Sequence, residues 1–299
     1  MNPAELALHP FERPASLAEL CRTLSSRAER KEKTVLLAGG TDWIVERRIA
    51  PLESPDDLPL VLDVSRLPEM RAIHVAKEHA AIGAAATFLE IKSHPVLSRR
   101  VPVLTAMARE VGAVQIQARG TLGGNLATAS PAADGAAALM ALDADVVLAS
   151  VTGERRVPLT EFFTGYRATR RAENEAIVRV EFALPGTGAH QMWRKVGTRA
   201  AQAISKVAFA AVVELEHGRG VRAGFGMASV APVTASLPTV RALALAPSLA
   251  SVSEEELEAA TRRDITPIDD LRSTAAYRAH VAAALVNSFF RSLRTAIGS

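Results

Sequence analysis

Two short stretches place consecutive glycines beside a hydroxyl or amide side chain. They are Leu36-Leu37-Ala38-Gly39-Gly40-Thr41-Asp42 and Thr121-Leu122-Gly123-Gly124-Asn125. Glycine lacks Cβ, so its N–H can approach an anion closely and its backbone can take positive φ. Successive N–H groups in such a turn form a concavity suited to a pyrophosphate. Thr41, Thr121 and Asn125 can add side-chain hydrogen bonds, and a neutral cradle of this kind needs no lysine. Spacing excludes the commoner phosphate loops. No Gly-Lys pair occurs, which removes the P-loop, and Gly120, Gly123 and Gly124 do not fit G-x-G-x-x-G. Gly224-Phe225-Gly226 begins like that fingerprint but lacks its third glycine. Taken singly, Gly-Gly after a strand is more often plain turn chemistry than a ligand site.

Other constellations lead nowhere catalytic. His74, Glu78 and His79 are spaced H-x-x-x-E-H within a predicted hairpin, which reads as a solvated turn rather than a zinc site. Ser130 lacks a G-x-S-x-G elbow, and no histidine is placed by sequence to activate it. Cys21 is the only cysteine, which excludes a disulfide framework and any Cys-ligated metal or iron–sulfur site within this chain. Asp143 and Asp145 read as exposed residues at a helix-to-strand junction, Glu254 to Glu256 as a helix N-terminus, and Lys206 as a strand-start surface lysine, with a second ligand neighbour as its alternative.

The elements that must hold the glycine stretches follow from pattern. Ser16-Leu17-Ala18-Glu19 is a capping box that opens a helix to about Ser26. Thr34 to Ala38 is a short strand running into Gly39-Gly40, and Leu60 to Val64 is a second buried strand. Arg71 to Val75 and Ala80 to Ala85 form a hairpin. Thr87-Phe88-Leu89-Glu90 caps a short helix, and Pro102 to Val111 is helical. Gly112 to Asp134 reads as mostly irregular, and loops this long are usually functional. A helix over 135–142, a strand over 145–149 and a strand over 175–182 follow. Pro185 to Ala189 is the expected domain boundary. Beyond it come a hairpin over 207–229, a helix from Glu254 to Arg263, and a final helix over 274–293.

The chain has 299 residues, 48% hydrophobic and 22% charged, which suits two domains and argues against disorder. Basic and acidic residues number 35 and 32, for a net charge of +3. Aromatics are 4% and the arginines are spread out, so nucleic-acid binding ranks low. The N-terminal residues lack a basic start and an apolar core of signal-peptide length, and no apolar run is long enough to span a bilayer. The expected location is the cytoplasm.

The strings AGGTD, TLGGNLATASPAAD, FFTGYR and AISKV, in this order and spacing, resemble the FAD-binding subunit of the xanthine dehydrogenase family of molybdenum hydroxylases, which includes carbon monoxide dehydrogenase. The resemblance covers nearly the whole chain, since Asp270-Leu271-Arg272-Ser273-Thr274 also looks like the family's C-terminal flavoprotein domain. It implies an α+β architecture: a vanillyl-alcohol-oxidase (PCMH)-type FAD-binding domain over 1–185, in subdomains of about 1–58 and 59–185, then a smaller α+β domain over 190–299. By the same resemblance, Leu36, Leu37, Ala38, Gly39, Gly40, Thr41, Asp42 and Trp43 form the first diphosphate turn. Thr121, Gly123, Gly124 and Asn125 form the second. Asp134 matches a carboxylate that holds the adenosine end, Ile177 an aliphatic residue near the isoalloxazine, and Lys195 a lysine at the flavin's polar edge. Tyr166 matches a residue near the flavin.

Two substitutions depart from the pattern: Val111 stands where some animal members carry a stacking aromatic, and Trp43 where Leu or Ile is usual. With one cysteine, any iron–sulfur clusters must sit on another chain. The resemblance therefore implies an electron-transfer flavoprotein working with a molybdenum-cofactor large subunit and an iron–sulfur small subunit, and with NAD+ or another acceptor. No residue of this chain is expected to act as a catalytic acid or base, and none to bind a metal. A flavin-free scaffold and a stand-alone FAD oxidase are the alternatives.

Overall fold

The computed structural model describes residues 9–49, 58–199, 202–247 and 249–297. Strands β1 (Phe11–Glu12), β2 (Thr34–Leu37) and β3 (Leu60–Asp63) form a parallel sheet in the order β1-β3-β2. The helix Leu17–Glu29 connects β1 to β2 and buries Leu20, Cys21 and Leu24. Its Ser16 side chain accepts the Glu19 N–H, while the Glu19 carboxylate takes the N–H of Ala15. Half of the expected capping box is therefore present, with its return bond displaced by one residue. The subdomain division expected at about residue 58 adjoins 50–57, outside the described residues.

An antiparallel sheet follows, built from β4 (Ile73–Val75), β5 (His79–Gly83), β6 (Asp145–Ser150), β7 (Gly153–Pro158) and a later strand, β10 (Ala176–Ala183). Between them in sequence lies the small hairpin of β8 (Phe163–Gly165) and β9 (Ala168–Thr169). The order in the large sheet is β4-β5-β10-β6-β7. The expected hairpin is β4–β5, and the Thr87 capping box at the helix Phe88–Ser93 is complete in both directions.

The third sheet, β11 (His190–Val196), β12 (Val207–Glu216) and β13 (Arg219–Ala228), is antiparallel in that order. Side chains alternate across a strand, and both faces of β12 are buried. Ala208, Ala210 and Val212 join the core that also holds the N-terminal sheets. Val207, Phe209, Ala211 and Val213 join a second core with Phe225, Phe289 and Phe290, under the helices Glu254–Asp264 and Ala275–Ile297. Gly224 and Gly226 serve packing. A Cβ on either would lie 2.1 or 2.0 Å from a carbonyl oxygen of Ala141 or Ala137, where the helix Asp134–Met140 rests on β13.

The segment 112–134 departs from the irregular loop expected there. It contains helices Val114–Gln117 and Leu122–Thr128, so Gly123, Gly124 and Asn125 are helical. Glycine disfavours a helix by about 1 kcal/mol per residue, but here tertiary contacts override that. Thr121 caps the second helix by accepting the Gly124 N–H, and Gly123 packs against Ala84. Strand β11, paired along its length with β12, is a further element the pattern did not announce.

Candidate functional site

Strand β2 delivers the chain into a turn at 38–42, and the helix Trp43–Ile49 follows. Gly40 takes φ +73°, the left-handed region that L side chains rarely adopt. Gly39 permits close docking, since a Cβ there would sit 2.0 Å from the Arg119 carbonyl oxygen. The helix begins when Ile44 N–H reaches the Gly40 carbonyl at 3.0 Å. The N–H groups of Gly39, Gly40, Thr41 and Asp42 meet no acceptor among the described residues. Consecutive unspent donors at a strand-to-helix turn are the form an anion nest takes.

The second glycine stretch works differently. Its amides are spent inside the protein: Leu122 N–H on Ala86, Gly123 N–H on Ala84, Gly124 N–H on the Thr121 hydroxyl and Asn125 N–H on the Thr121 carbonyl. The amides that the first turn of a helix would leave open are thus taken up by Ala86, Ala84 and the Thr121 cap, in place of the expected main-chain cradle. What the stretch offers is side chains and room. The Asn125 Oδ1 is buried without a partner among the described residues. A Cβ on Gly124 would approach only the Thr121 hydroxyl, at 2.9 Å.

Both stretches face one cavity of about 510 Å³, within the range of small-molecule and cofactor sites. Its lining includes Leu36 to Trp43, Thr121, Gly123, Gly124, Asn125 and Ile177. Thus the structure brings together all but three of the residues expected at the site. Leu24, Val64, Met70, Phe88, Val111 and Ile116 complete an apolar wall, so the Val111 departure leaves an aliphatic lining there. The bulk of Trp43 is partly absorbed by an edge-on contact with His9, ring centroids 5.3 Å apart.

The other three lie elsewhere. Tyr166 is 68% exposed and off the cavity, whereas its neighbour Arg167 lines it and pairs with Glu46 at 2.6 Å. Asp134 and Lys195 form an ion pair at 2.5 Å, each side chain 8% exposed. The second Asp134 oxygen accepts from the Ser205 hydroxyl at 2.5 Å, and Lys195 also donates to the Glu110 carbonyl at 3.0 Å. Burial pushes the Asp134 carboxyl above its ordinary range, opposed by the Lys195 charge and the hydrogen bonds. Both carboxylate oxygens are therefore engaged at the join between the helix Asp134–Met140 and the third sheet.

Sequence reading missed Arg167, Arg171, Glu46 and Glu173, all of which line the cavity. Arg167 ends the FFTGYR string and was available to notice. Arg171 belongs to no string that drew attention.

The cavity suits a flavin dinucleotide: a free-amide nest for the diphosphate, an unpartnered polar atom on Asn125, and an apolar wall for a flat ring system. Comparison with known proteins agrees. Residues 6–185 match the family of FAD binding domains in molybdopterin dehydrogenases, and 193–293 the C-terminal domain of CO dehydrogenase flavoproteins. The chain is 38% identical over 184 residues to the nicotinate dehydrogenase FAD-subunit of Eubacterium barkeri, covering 60% of this chain and 61% of that one. It is 31% identical over 259 residues to the carbon monoxide dehydrogenase medium chain of Hydrogenophaga pseudoflava, covering 84% and 86% respectively. The solved structure of carbon monoxide dehydrogenase from Hydrogenophaga pseudoflava lacking the Mo-pyranopterin moiety superposes with a TM-score of 0.83. That match has 26% identity and covers 94% of this chain and 95% of that one. The expected α+β fold, a PCMH-type FAD-binding domain followed by a flavoprotein C-terminal domain, is the one found. The chain belongs to the molybdopterin-dehydrogenase family of FAD-binding proteins, as the FAD-binding medium subunit of a molybdenum hydroxylase-type dehydrogenase.

Proposed function

We propose that this chain is the electron-transfer subunit of a three-part complex. Iron–sulfur clusters on a small subunit would relay single electrons from a molybdenum-cofactor large subunit, and NAD+ or another acceptor would receive them in the end. FAD, when bound, supplies the exchange between one-electron donors and a two-electron acceptor. The protein's own part is to hold and shield the cofactor.

The observation that carries the reading is the run of four unspent amides from Gly39 to Asp42, opening on the cavity. They would receive the diphosphate, with Gly40 supplying the left-handed bend that aligns them. Gly124 leaves room, and Thr121 and Asn125 add polar contacts. The aliphatic wall at Val111, Ile116 and Ile177 excludes water from the ring system. We assign Lys195 and Asp134 a supporting role, as a buried pair that holds β11 against the helix Asp134–Met140. Tyr166 is left as a surface neighbour of the site. The division into 1–185 and 190–299 belongs to the same reading; the connection over 184–189 carries no regular element, and Arg100 donates to its Pro185 carbonyl.

The test is the purified chain. A visible flavin spectrum with near-stoichiometric FAD, and copurification with two further subunits, is the expected result. A chain that takes up no FAD would leave the scaffold reading in possession. FAD uptake with activity on a substrate and no partner would favour the stand-alone oxidase.

A further inference from the structure

Three carboxylates and two guanidinium groups line the cavity, and their pairing is unequal. Glu46 is neutralised by Arg167, Asp42 accepts from the Thr128 hydroxyl, and Glu173 is exposed. Arg171 is half-buried, and no carboxylate oxygen lies within ion-pair distance of it among the described residues. Among the described residues its side-chain hydrogen bonds leave from one nitrogen, Nη1, to the carbonyls of Ala172 and Glu175 at 3.1 and 2.8 Å. The nearby Glu175 carboxylate is already held by Arg155, at 2.5 and 2.8 Å. Burial pushes the Arg171 guanidinium below its usual value, although Glu173 and Glu175 favour its charge.

An unpaired, partly desolvated guanidinium is unfavourable unless something anionic meets it. Here the remaining nitrogens, Nε and Nη2, have no acceptor among the described residues, and the side chain lines the same cavity as the free-amide turn. The bonds from Nη1 to two backbone carbonyls fix the fork in place, so little side-chain entropy remains to be lost on binding. The lone dianionic feature of a flavin dinucleotide is its diphosphate, and planar guanidinium recognises phosphate oxygens through paired N–H donors.

We propose that Arg171 is a ligand-binding residue that supplies positive charge to the diphosphate-bearing half of FAD, complementing the neutral amides of Gly39 to Asp42. This rests on the FAD reading above and adds to it a charged contact that the glycine turns alone do not provide. The hairpin β8–β9 and the loop after it thus read the nucleotide, while the first glycine turn cradles it.

The experiment is a fluorescence titration of FAD onto the flavin-free chain, at several salt concentrations, for wild type, Arg171→Gln and Arg171→Lys. In Arg171→Gln the FAD Kd should rise by about tenfold or more and its salt dependence should flatten, because one charge contact is lost. Arg171→Lys should recover much of the affinity and the salt dependence, since it keeps the charge. An unchanged Kd in Arg171→Gln would overturn the proposal. So would equal weakening in both variants with wild-type salt dependence, which would mark Arg171 as a staple for the 172–175 loop. Wild-type protein that takes up no FAD would instead sink the cofactor reading itself, and this contact with it.

Discussion

Asp42 and Thr128, 86 residues apart, are joined by a hydrogen bond of 2.7 Å from the threonine hydroxyl to the carboxylate. The bond fastens the free-amide turn to the end of the helix that begins at Thr121. The Gly124 carbonyl lies 3.0 Å from the same hydroxyl and shares its one proton, so this hydroxyl ties together the two glycine stretches that face the cavity. Without that clasp the turn would keep its amides but lose its fixed position opposite Gly124.

Thr128→Val should therefore weaken FAD binding about fivefold to tenfold, the equivalent of roughly 1 kcal/mol for a partly exposed hydrogen bond. The unfolding temperature of the flavin-free chain should barely change. Titration of FAD fluorescence checks this, and an unaltered Kd would remove the clasp from the account of binding.

The two glycines of the second stretch should respond oppositely. Gly123→Ala sets a Cβ 2.4 Å from the Ala84 Cβ and 2.7 Å from its carbonyl oxygen, an overpacking that costs about 1–3 kcal/mol of stability. Gly124→Val meets only the Thr121 hydroxyl and otherwise projects into ligand space. Its expected effect is a loss of FAD affinity of about a hundredfold or more, with a smaller change in Tm than the Gly123 variant shows. Thermal melts and FAD titrations on both variants separate the two roles.

Lys195→Met leaves the buried Asp134 carboxylate with only the Ser205 hydroxyl. Breaking one side of a buried ion pair typically costs about 3–5 kcal/mol, so the urea midpoint should fall strongly. Lys195→Met combined with Asp134→Asn should regain most of it, because no uncompensated charge remains. Equal midpoints for the single and double variants would argue against a paired structural role.

His190 lies on β11, with its Nε2 2.8 Å from the Ser292 hydroxyl and its ring 5.2 Å from that of Phe289. Burial holds its pKa below the ordinary 6.5. The unfolded chain then binds more protons in that window, so stability should be fully present above pH 6.5 and fall as pH drops through the lowered folded value. His190→Gln should flatten this part of the stability profile. Melting temperatures measured across the acid side of neutrality decide it.

Much of this molecule was legible in its residue order. Alternation and capping announced the β4–β5 hairpin, the β12–β13 hairpin and the helix behind Ser253, because each is stabilised by contacts near in sequence, and the apolar runs of β2 and β3 announced two buried strands. The Gly39-Gly40 turn was legible for the same reason: a strand running into two glycines has few other conformations open to it. Family strings added the cofactor, which no periodicity reveals.

Tertiary structure alone decided the rest. Gly123-Gly124 reads locally as a turn, yet the carbonyls of Ala86 and Ala84 take up the N–H groups of Leu122 and Gly123 and the stretch becomes helix. Those partners lie nearly forty residues away, beyond the reach of propensity. Asp134 and Lys195 read as two separate positions, and only folding shows them paired, since a buried charge is stable only beside its opposite. That Arg171 faces the cavity without a carboxylate could not be read from composition, because it depends on Arg155 having taken the Glu175 carboxylate in space.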